Sequence, residues 1–155
     1  MLVDKKKLGF KAIAVVAGID IRGKVVAITM REKSICTPDF IKFLNELRKH
    51  FKRKKTYIFL DNRSFHHSHV VQKCARRNHQ ELIFNAAYSS KYNPIERLWA
   101  IAKRSFSRDC ITEADYSNNS MIQALVMKSI LEAPSNSLSK HVFACVRLMQ
   151  NDISN

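Results

Sequence analysis

Residues 56–60 (TYIFL) form an uninterrupted apolar segment that ends on Asp61 and Asn62. A short run without polar alternation is typical of a strand buried on both faces. Such a strand needs helices on both sides of its sheet, so this segment predicts an α/β domain. Ligand and metal sites in α/β sheets gather at strand ends, and Asp61 lies at one.

The segments around this strand fit an α/β order. Residues 11–19 and 24–30 are apolar and β-branched and flank a turn, which predicts an antiparallel hairpin. Residues 37–51 predict a helix, with Thr37 as cap, Pro38 in the first turn and apolar residues at helical spacing. The remaining predicted elements are a helix at 67–79, a strand at 81–86, a helix from 93 to about 106, and helices near 119–132 and 138–150.

This order of elements predicts a mixed sheet flanked by helices, followed by a helical tail from about residue 107. The chain has 155 residues and shows no linker, repeat or low-complexity stretch. A single domain spanning 1–155 with a real core is therefore expected.

The net charge is strongly positive, because 27 Lys and Arg residues face 13 Asp and Glu residues, giving +14. The densest basic run is RKHFKRKK at 48–55. A surface of this kind attracts polyanions, and nucleic acid, either DNA or RNA, is the first partner to consider. A solvated basic surface, or a basic subunit of a larger particle, is the alternative.

The four cysteines, Cys36, Cys74, Cys110 and Cys145, lack the paired spacing of a zinc site or a disulfide framework. They predict reduced, mostly buried thiols in an intracellular protein. No segment has the apolar length of a membrane span, and the N-terminus lacks the apolar core of a signal peptide. A nuclear location, or a cytoplasmic one in a prokaryote, is expected, and an organellar address stays open.

Asp61 and Glu96 are separated by 34 residues, and Glu96 begins the helix after the next predicted strand. A strand end and a helix start one α/β unit apart can lie side by side. Two carboxylates there would repel each other unless a cation lay between them, and Mg²⁺ is typically held by one or two carboxylates. On residue types alone a structural role is the stronger alternative, since Asp61-Asn62 suits a turn and Glu96 has capping-box spacing from Asn93.

Two separated motifs, IFLDNRSFHHS and NAAYSSKYNPIERLWAIAKR, resemble the catalytic signature of DDE superfamily transposases of the mariner-like and insertion-sequence branch. The matching residues are Asp61, Asn62, Phe65, His66, Tyr88, Ser89, Asn93, Pro94, Ile95, Glu96, Trp99 and Lys103. The resemblance implies a ribonuclease-H-like fold and metal-dependent DNA hydrolysis and strand transfer, as in transposition and DNA integration. It also implies that Asp61 and Glu96 bind Mg²⁺ or Mn²⁺ if the protein is active.

The chain departs from this family in ways that leave present activity open. The family uses three acids, and only Asp20 in the hairpin turn or Asp4 is available for the first. The first sheet strand and the DNA-reading domain are expected to be missing, and the loop before Glu96 has Ala and Ser where prolines are expected. A truncated or domesticated copy that binds nucleic acid is therefore expected, and a non-catalytic basic scaffold subunit is the alternative. An incomplete sheet would expose a strand edge, so self-association or a protein partner is expected too.

Further basic and aromatic residues are predicted to serve the site or the core. The predicted nucleic-acid-binding residues are Lys52, Arg53, Lys54, Lys55, His66, Lys103 and Arg104. The HHSH cluster at 66–69 suggests a metal site, but capping, stacking or phosphate contact is favoured at a strand-to-helix junction. Trp99 lies on the apolar face of its helix and is expected in the core.

Overall fold

The computed structural model describes residues 12–52, 54–86, 89–109 and 118–153. The strands are β1 (Ile13–Ile19), β2 (Val25–Glu32), β3 (Thr56–Leu60) and β4 (Gln80–Phe84). The helices are α1 (Thr37–His50), α2 (His69–Arg77), α3 (Ile95–Arg108), α4 (Asn119–Leu131) and α5 (Ser135–Ile153), with short 3-10 helices at Ser64–His67 and Ser90–Tyr92. The predicted hairpin, central strands and helices are confirmed, and their ends differ from the predicted ends by at most a few residues.

The described strands form two small sheets. β1 and β2 pair antiparallel, with Ile13 opposite Glu32, and β3 and β4 pair parallel, with Leu60 opposite Phe84. Both orientations predicted for a mixed sheet are therefore present, and within the described residues the two pairs share no backbone ladder. One apolar cluster beneath α1 receives side chains from all four strands and joins the pairs into one layer.

The hairpin is covered on both faces. Val16 of β1 packs into the cluster beneath α1, whereas its neighbours Val15 and Ala17 pack against the helices on the other side. This alternation follows from the two-residue period of a strand. The hairpin therefore lies between α1 on one side and α3 and α4 on the other. The β3–β4 pair packs on the cluster beneath α1, but Tyr57 of β3 is 59% exposed and Ile83 of β4 is 43% exposed, so the burial of β3 on both faces that its apolar sequence predicted is not confirmed.

Helix α1 is well specified by its sequence. Pro38 lies in the first turn, and the carboxylate of Asp39 accepts a hydrogen bond from the backbone N–H of Cys36 at 2.9 Å. Arg31 of β2 donates to the same carboxylate at 2.7 Å. These hydrogen bonds hold the pKa of Asp39 down at about 2, with the Cys36 side chain as the largest contributor. The start of α1 is thus fixed where its first buried aromatic, Phe40, enters the core.

A second core cluster lies among α3, α4 and α5. Its fully buried members include Leu98 of α3, Ile130 of α4 and Leu138 of α5, and Trp99 packs against its edge. The core role predicted for Trp99 is confirmed. The hairpin turn meets this half of the molecule at Gly23, which has a φ of 76° and packs so closely on the start of α5 that a Cβ atom would collide with its backbone.

Cys36, Cys74 and Cys145 are free thiols, as predicted, and Cys110 lies outside the described residues. Burial raises the pKa of the Cys74 and Cys145 thiols, which favours the inert protonated form. Among the helices of the described ranges, none combines the length and the apolar character needed to cross a bilayer.

Candidate metal and nucleic-acid site

The carboxyl ends of β3 and β4 meet at one edge of the parallel pair. The backbone N–H of Asn85 donates to the carbonyl of Leu60 at 2.8 Å, which extends the ladder by one bond beyond the strands. The buried Asn85 side chain then donates to the carbonyl of Ser89 at 2.6 Å. Asp61, the first residue after β3, therefore lies beside the start of the loop that leads to α3.

Neighbouring side chains lie next to both oxygens of the Asp61 carboxylate. Arg63 Nε donates to Oδ2 at 3.1 Å, and His66 Nδ1 lies 3.4 Å from Oδ1. His66 Nδ1 also lies 3.0 Å from the backbone carbonyl oxygen of Asp61. The Asp61 side chain is nevertheless 49% exposed, so a solvent cation has access to it. Arg63 is a neighbour that the sequence motif contained but that the sequence analysis did not assign.

The imidazole of His66 is buried, at 5% exposure, between two aromatic rings. Its ring centroid lies 4.4 Å from that of Phe40 and 4.2 Å from that of Phe65. Burial lowers the pKa of His66 below its ordinary value, and the hydrogen bond and negative charge of Asp61 oppose this in part. A neutral ring that donates to the Asp61 carbonyl must carry its proton on Nδ1.

The other histidines of the HHSH cluster have separate surroundings. His67 hydrogen-bonds to the side-chain oxygen of Asn62 and stacks on Phe84 with ring centroids 4.0 Å apart. His69 is exposed at the start of α2, whose first turn is capped by Ser68. The divergent directions expected for these rings are confirmed. Within the described ranges, no group of three or more His, Cys, Asp or Glu side chains has metal-binding geometry.

Glu96 lies in the first turn of α3, where its backbone N–H donates to the Asn93 carbonyl at 3.2 Å. Its side chain is exposed and makes no hydrogen bond or ion pair to any other described residue. Asn93 is buried and accepts from the backbone N–H of Ile95 at 3.3 Å. Asn93 thus fixes the helix start as predicted, but the Glu96 carboxylate does not complete a capping box with described residues.

The loop before α3 is fastened to the last turns of α5. Tyr92 Oη donates a hydrogen bond to Asp152 Oδ2, and Lys91 Nζ lies 3.4 Å from the same oxygen. Cys145 Sγ lies 3.6 Å from the Lys91 carbonyl. We call these contacts the Asp152 clasp. They hold a loop in which the prolines expected from the family resemblance are absent, and nothing in the local sequence indicated them.

The predicted basic residues fall into two groups. Lys103 and Arg104 are exposed on α3, and Lys103 follows Glu96 by seven residues, so it lies on the same helix face two turns away. Lys55, by contrast, pairs with Glu81 at 3.1 Å and lies over the ring of Tyr57. It precedes β3, so it is at the end of this five-residue strand opposite to Asp61, roughly 20 Å away along an extended chain.

The remaining members of the basic run are placed near Lys55. Lys52, which has a φ of 50°, lies two residues after the end of α1, and Lys54 is exposed before β3. Arg53 lies outside the described residues. The run therefore belongs to the end of the parallel pair remote from Asp61.

Asp20 closes the hairpin turn between β1 and β2. Its Oδ1 accepts from the backbone N–H groups of Arg22 at 3.0 Å and Lys24 at 2.8 Å. These bonds give Asp20 a structural reason to occupy this position, and a catalytic role for it stays a prediction. Asp4, the other acid considered for the third place, lies outside the described residues.

Known structures place this architecture in a fold class. The chain is similar to Mos1 transposase in a paired-end complex with the left transposon end, with a TM-score of 0.72 and 13% identity over 92% of this chain and 43% of that one. It is similar to the Mos1 catalytic domain with raltegravir and Mn, with a TM-score of 0.71 and 13% identity over 87% of this chain and 70% of that one. A chain of the simian T-cell lymphotropic virus intasome in complex with the PP2A regulatory subunit B56 gamma is more distant, at TM-score 0.57 and 17% identity over 79% of this chain and 44% of that one. The fold is therefore that of the ribonuclease-H-like transposase catalytic domains.

A match to a family model identifies the family. Residues 5–117 match the DDE superfamily endonuclease family, which is most of the chain, and the protein belongs to that family. The family and the fold class predicted from the two motifs are confirmed. The chain spans less than half of the Mos1 chain in the paired-end complex. Among curated proteins, none matches the sequence significantly.

Proposed function

We propose that this protein is a transposase-derived, DDE endonuclease-like domain that binds DNA and holds a divalent cation through Asp61 and Glu96. The observation that carries the proposal is the position of Asp61. Its carboxylate follows directly on β3 at the end of the parallel pair, is half exposed, and lies against the side chains of Arg63 and His66. Family membership supports the same assignment.

The residues present fit a hard cation. Asp61 and Glu96 offer oxygen ligands, which Mg²⁺ and Mn²⁺ prefer, and both carboxylates are accessible. The Mos1 catalytic domain is known in structures with Mn and with Mg, which is consistent with this choice. When bound, such an ion supplies Lewis-acid activation of a water or of a phosphate oxygen. The chain itself contributes the placement of Asp61 through Arg63 and His66.

DNA is the proposed partner because of charge. The net charge of +14 gives a general attraction to a phosphate backbone. Lys103 and Arg104 are exposed on the helix whose first turn carries Glu96, and Lys103 can contact phosphates on the same face as that carboxylate. The Mos1 complex with its transposon end supports the choice of DNA over RNA.

A further acid and a further strand would complete this site. β1 and β3 each have a pairing partner on one side only within the described residues, and both border the cluster beneath α1. We propose that a second molecule or a partner protein covers these edges. Sedimentation equilibrium tests this part: association at micromolar concentration is expected, and a stable monomer over the same range would contradict it.

A non-catalytic scaffold is the second candidate function. It is favoured by the contact between Arg63 and Asp61 Oδ2, since a guanidinium already neutralises the carboxylate that a metal would need. In that case the basic surface would bind nucleic acid and the acids would serve only the fold.

Nicking of supercoiled DNA in Mn²⁺ or Mg²⁺ separates these functions. The purified chain is compared with Asp61→Asn and Glu96→Gln, and Glu132→Gln on the exposed end of α4 serves as a matched control. Metal-dependent nicking by the wild type and the control, lost in the two site variants, is expected. Equal and negligible nicking by all four proteins, with DNA binding retained, would reject the catalytic function in favour of the scaffold.

A further inference from the structure

Among the residues that the structure describes, Asp61 is the hydrogen-bond partner of the His66 imidazole. Its Nδ1 lies 3.0 Å from the Asp61 carbonyl oxygen and 3.4 Å from Oδ1 of the same residue. His66 is 5% exposed, so an exchange of this contact for water is largely prevented. A buried polar group that loses its partner is destabilised, which favours retention of the bond.

Two aromatic rings fix the direction from which the imidazole approaches. Phe40, itself 3% exposed, lies 4.4 Å from the imidazole centroid at an interplanar angle of 35°. Phe65 meets it edge-on at 4.2 Å. Phe40 belongs to α1 and Phe65 to the 3-10 helix after β3, so the imidazole is held by two separate elements of the core. Its nitrogen therefore points to the strand end in a set orientation.

The two oxygens of Asp61 are consequently held in different ways. Oδ1 faces the buried His66, whereas Oδ2 accepts from Arg63 Nε at 3.1 Å, and the Arg63 side chain is 72% exposed. Exposed ion pairs contribute little free energy, so Arg63 can be displaced by a competing cation. His66 cannot leave without opening the core around Phe40.

We propose that His66 is a positioning residue: by donating from Nδ1 to the backbone carbonyl of Asp61 it fixes that carboxylate for a divalent cation, which replaces Arg63 at Oδ2. This inference rests on the proposed role of Asp61 as a metal ligand. Partners of metal ligands that act in this way change metal affinity by 10- to 100-fold when removed.

Mn²⁺ binding, measured by electron paramagnetic resonance of the full chain, tests the proposal. His66→Phe keeps a ring between Phe40 and Phe65 but loses the donor, and a loss of affinity of roughly 10-fold or more is expected. His66→Asn places an amide donor near the position of Nδ1 and is expected to recover part of that loss. Arg63→Gln is expected to raise affinity by about 2- to 5-fold, since it removes a competing exposed cation.

His67→Phe is the matched control, because its imidazole contacts Asn62 and Phe84 instead of Asp61. It is expected to leave Mn²⁺ affinity within about twofold of the wild type, the effect of an exposed position away from the ligand. Equal affinities for the wild type, His66→Phe and His66→Asn would overturn the positioning role. Circular dichroism and thermal unfolding establish that each variant is folded before its affinity is compared.

A metal-free readout distinguishes failure of this inference from failure of the proposed function. Long-range ¹H–¹⁵N correlation of the histidine rings is expected to show His66 with its proton on Nδ1, and amide relaxation at 61–63 is expected to show rigid backbone that becomes mobile in His66→Phe. Absence of Mn²⁺ binding to the wild type, or unchanged binding in Asp61→Asn, would reject the metal role of Asp61. The opposite tautomer, or unchanged mobility, would reject the positioning role whatever the metal result.

Discussion

The end of β3 and the start of α3 each present one acid of the candidate site, and they differ in how that acid is held. The Asp61 carboxylate contacts Arg63 and His66, and the latter is buried in the core. The Glu96 side chain is exposed and has no hydrogen bond or ion pair among the described residues. The position of the Asp61 carboxylate is thus set by neighbouring side chains, whereas that of the Glu96 carboxylate is set only by the backbone of α3.

That backbone is positioned from a distance. The loop before α3 is fastened by the Asp152 clasp to α5, about 60 residues further along the chain. Asp61, by contrast, takes its polar neighbours from within five residues, and α1 acts on it only through the contact of Phe40 with His66. We therefore expect Asp61 and Glu96 to respond to different substitutions.

The largest effect is expected at Phe40. Phe40→Ala removes a ring that is 3% exposed and contacts His66, so a loss of about 3–5 kcal/mol of unfolding free energy is expected in urea titrations. Phe106→Ala, in the cluster of the helical half, is the comparison. Only Phe40→Ala should alter the ring signals of His66. An equal change in both variants would mean that the surroundings of His66 depend on both core clusters.

A smaller effect, with a defined pH dependence, is expected at Asp39, which fixes the start of α1 before Phe40. Asp39→Ala should lose about 1 kcal/mol at pH 7, the usual effect of a lost helix-start contact. The native pKa of Asp39 is about 2, below its value in the unfolded chain of about 3.9, so its stabilisation is present above pH 4 and is lost as pH falls to 2.

Urea unfolding at several pH values checks this expectation. The difference between the wild type and Asp39→Ala should shrink steadily between pH 4 and pH 2. A difference that stays constant over this interval would show that the carboxylate charge is irrelevant to the helix start.

The Asp152 clasp should have a local effect. Tyr92→Phe removes the hydroxyl that donates to Asp152, and a loss of about 0.5–1 kcal/mol is expected. Hydrogen exchange should become faster at residues 89–94 and stay unchanged at 61–67. Tyr57→Phe, whose side chain is exposed on β3, is the control, and faster exchange at 61–67 in Tyr92→Phe would contradict the independence of the two acids.

The smallest effect is expected at Glu96. Without metal, Glu96→Gln should leave the unfolding free energy within about 0.5 kcal/mol, because an exposed side chain without described partners contributes little. With saturating Mn²⁺ the wild type should gain stability by mass action and the variant should gain less. A large loss in the metal-free comparison would reveal a structural partner for this carboxylate.

Much of the fold was predictable because its signals are local. Pro38 and the apolar spacing after it located α1, and the unbroken apolar segment before Asp61 located β3 within its observed bounds. The two motifs led to the family, which the family model confirms. The periodicity of helices and strands and the residue types at strand ends depend on neighbouring residues, so they can be predicted from the sequence.

The environment of the acids was less predictable because it depends on tertiary contacts. The approach of Phe40 to His66 joins residues 26 positions apart, and the clasp joins Tyr92 to Asp152 across 60. Arg63 lay inside the recognised motif, and its spacing of two residues from Asp61 could have suggested the ion pair. The position of the basic run at the far end of β3 could also have been inferred, since Lys55 and Asp61 flank opposite ends of one strand.

The parallel pairing of β3 with β4 also bears on how the molecule folds. Parallel strands cannot be joined by a tight turn, so the chain must cross over through α2 before β3 and β4 can pair. Loop closure of this kind precedes the contacts that reward it, and such pairings form slowly. In a chain that is still emerging from the ribosome, or in one that has partly unfolded, Asp61 therefore has Arg63 and His66 close in sequence but lacks the loop that follows β4. A site that needs both Asp61 and Glu96 can therefore form only in molecules that have finished folding.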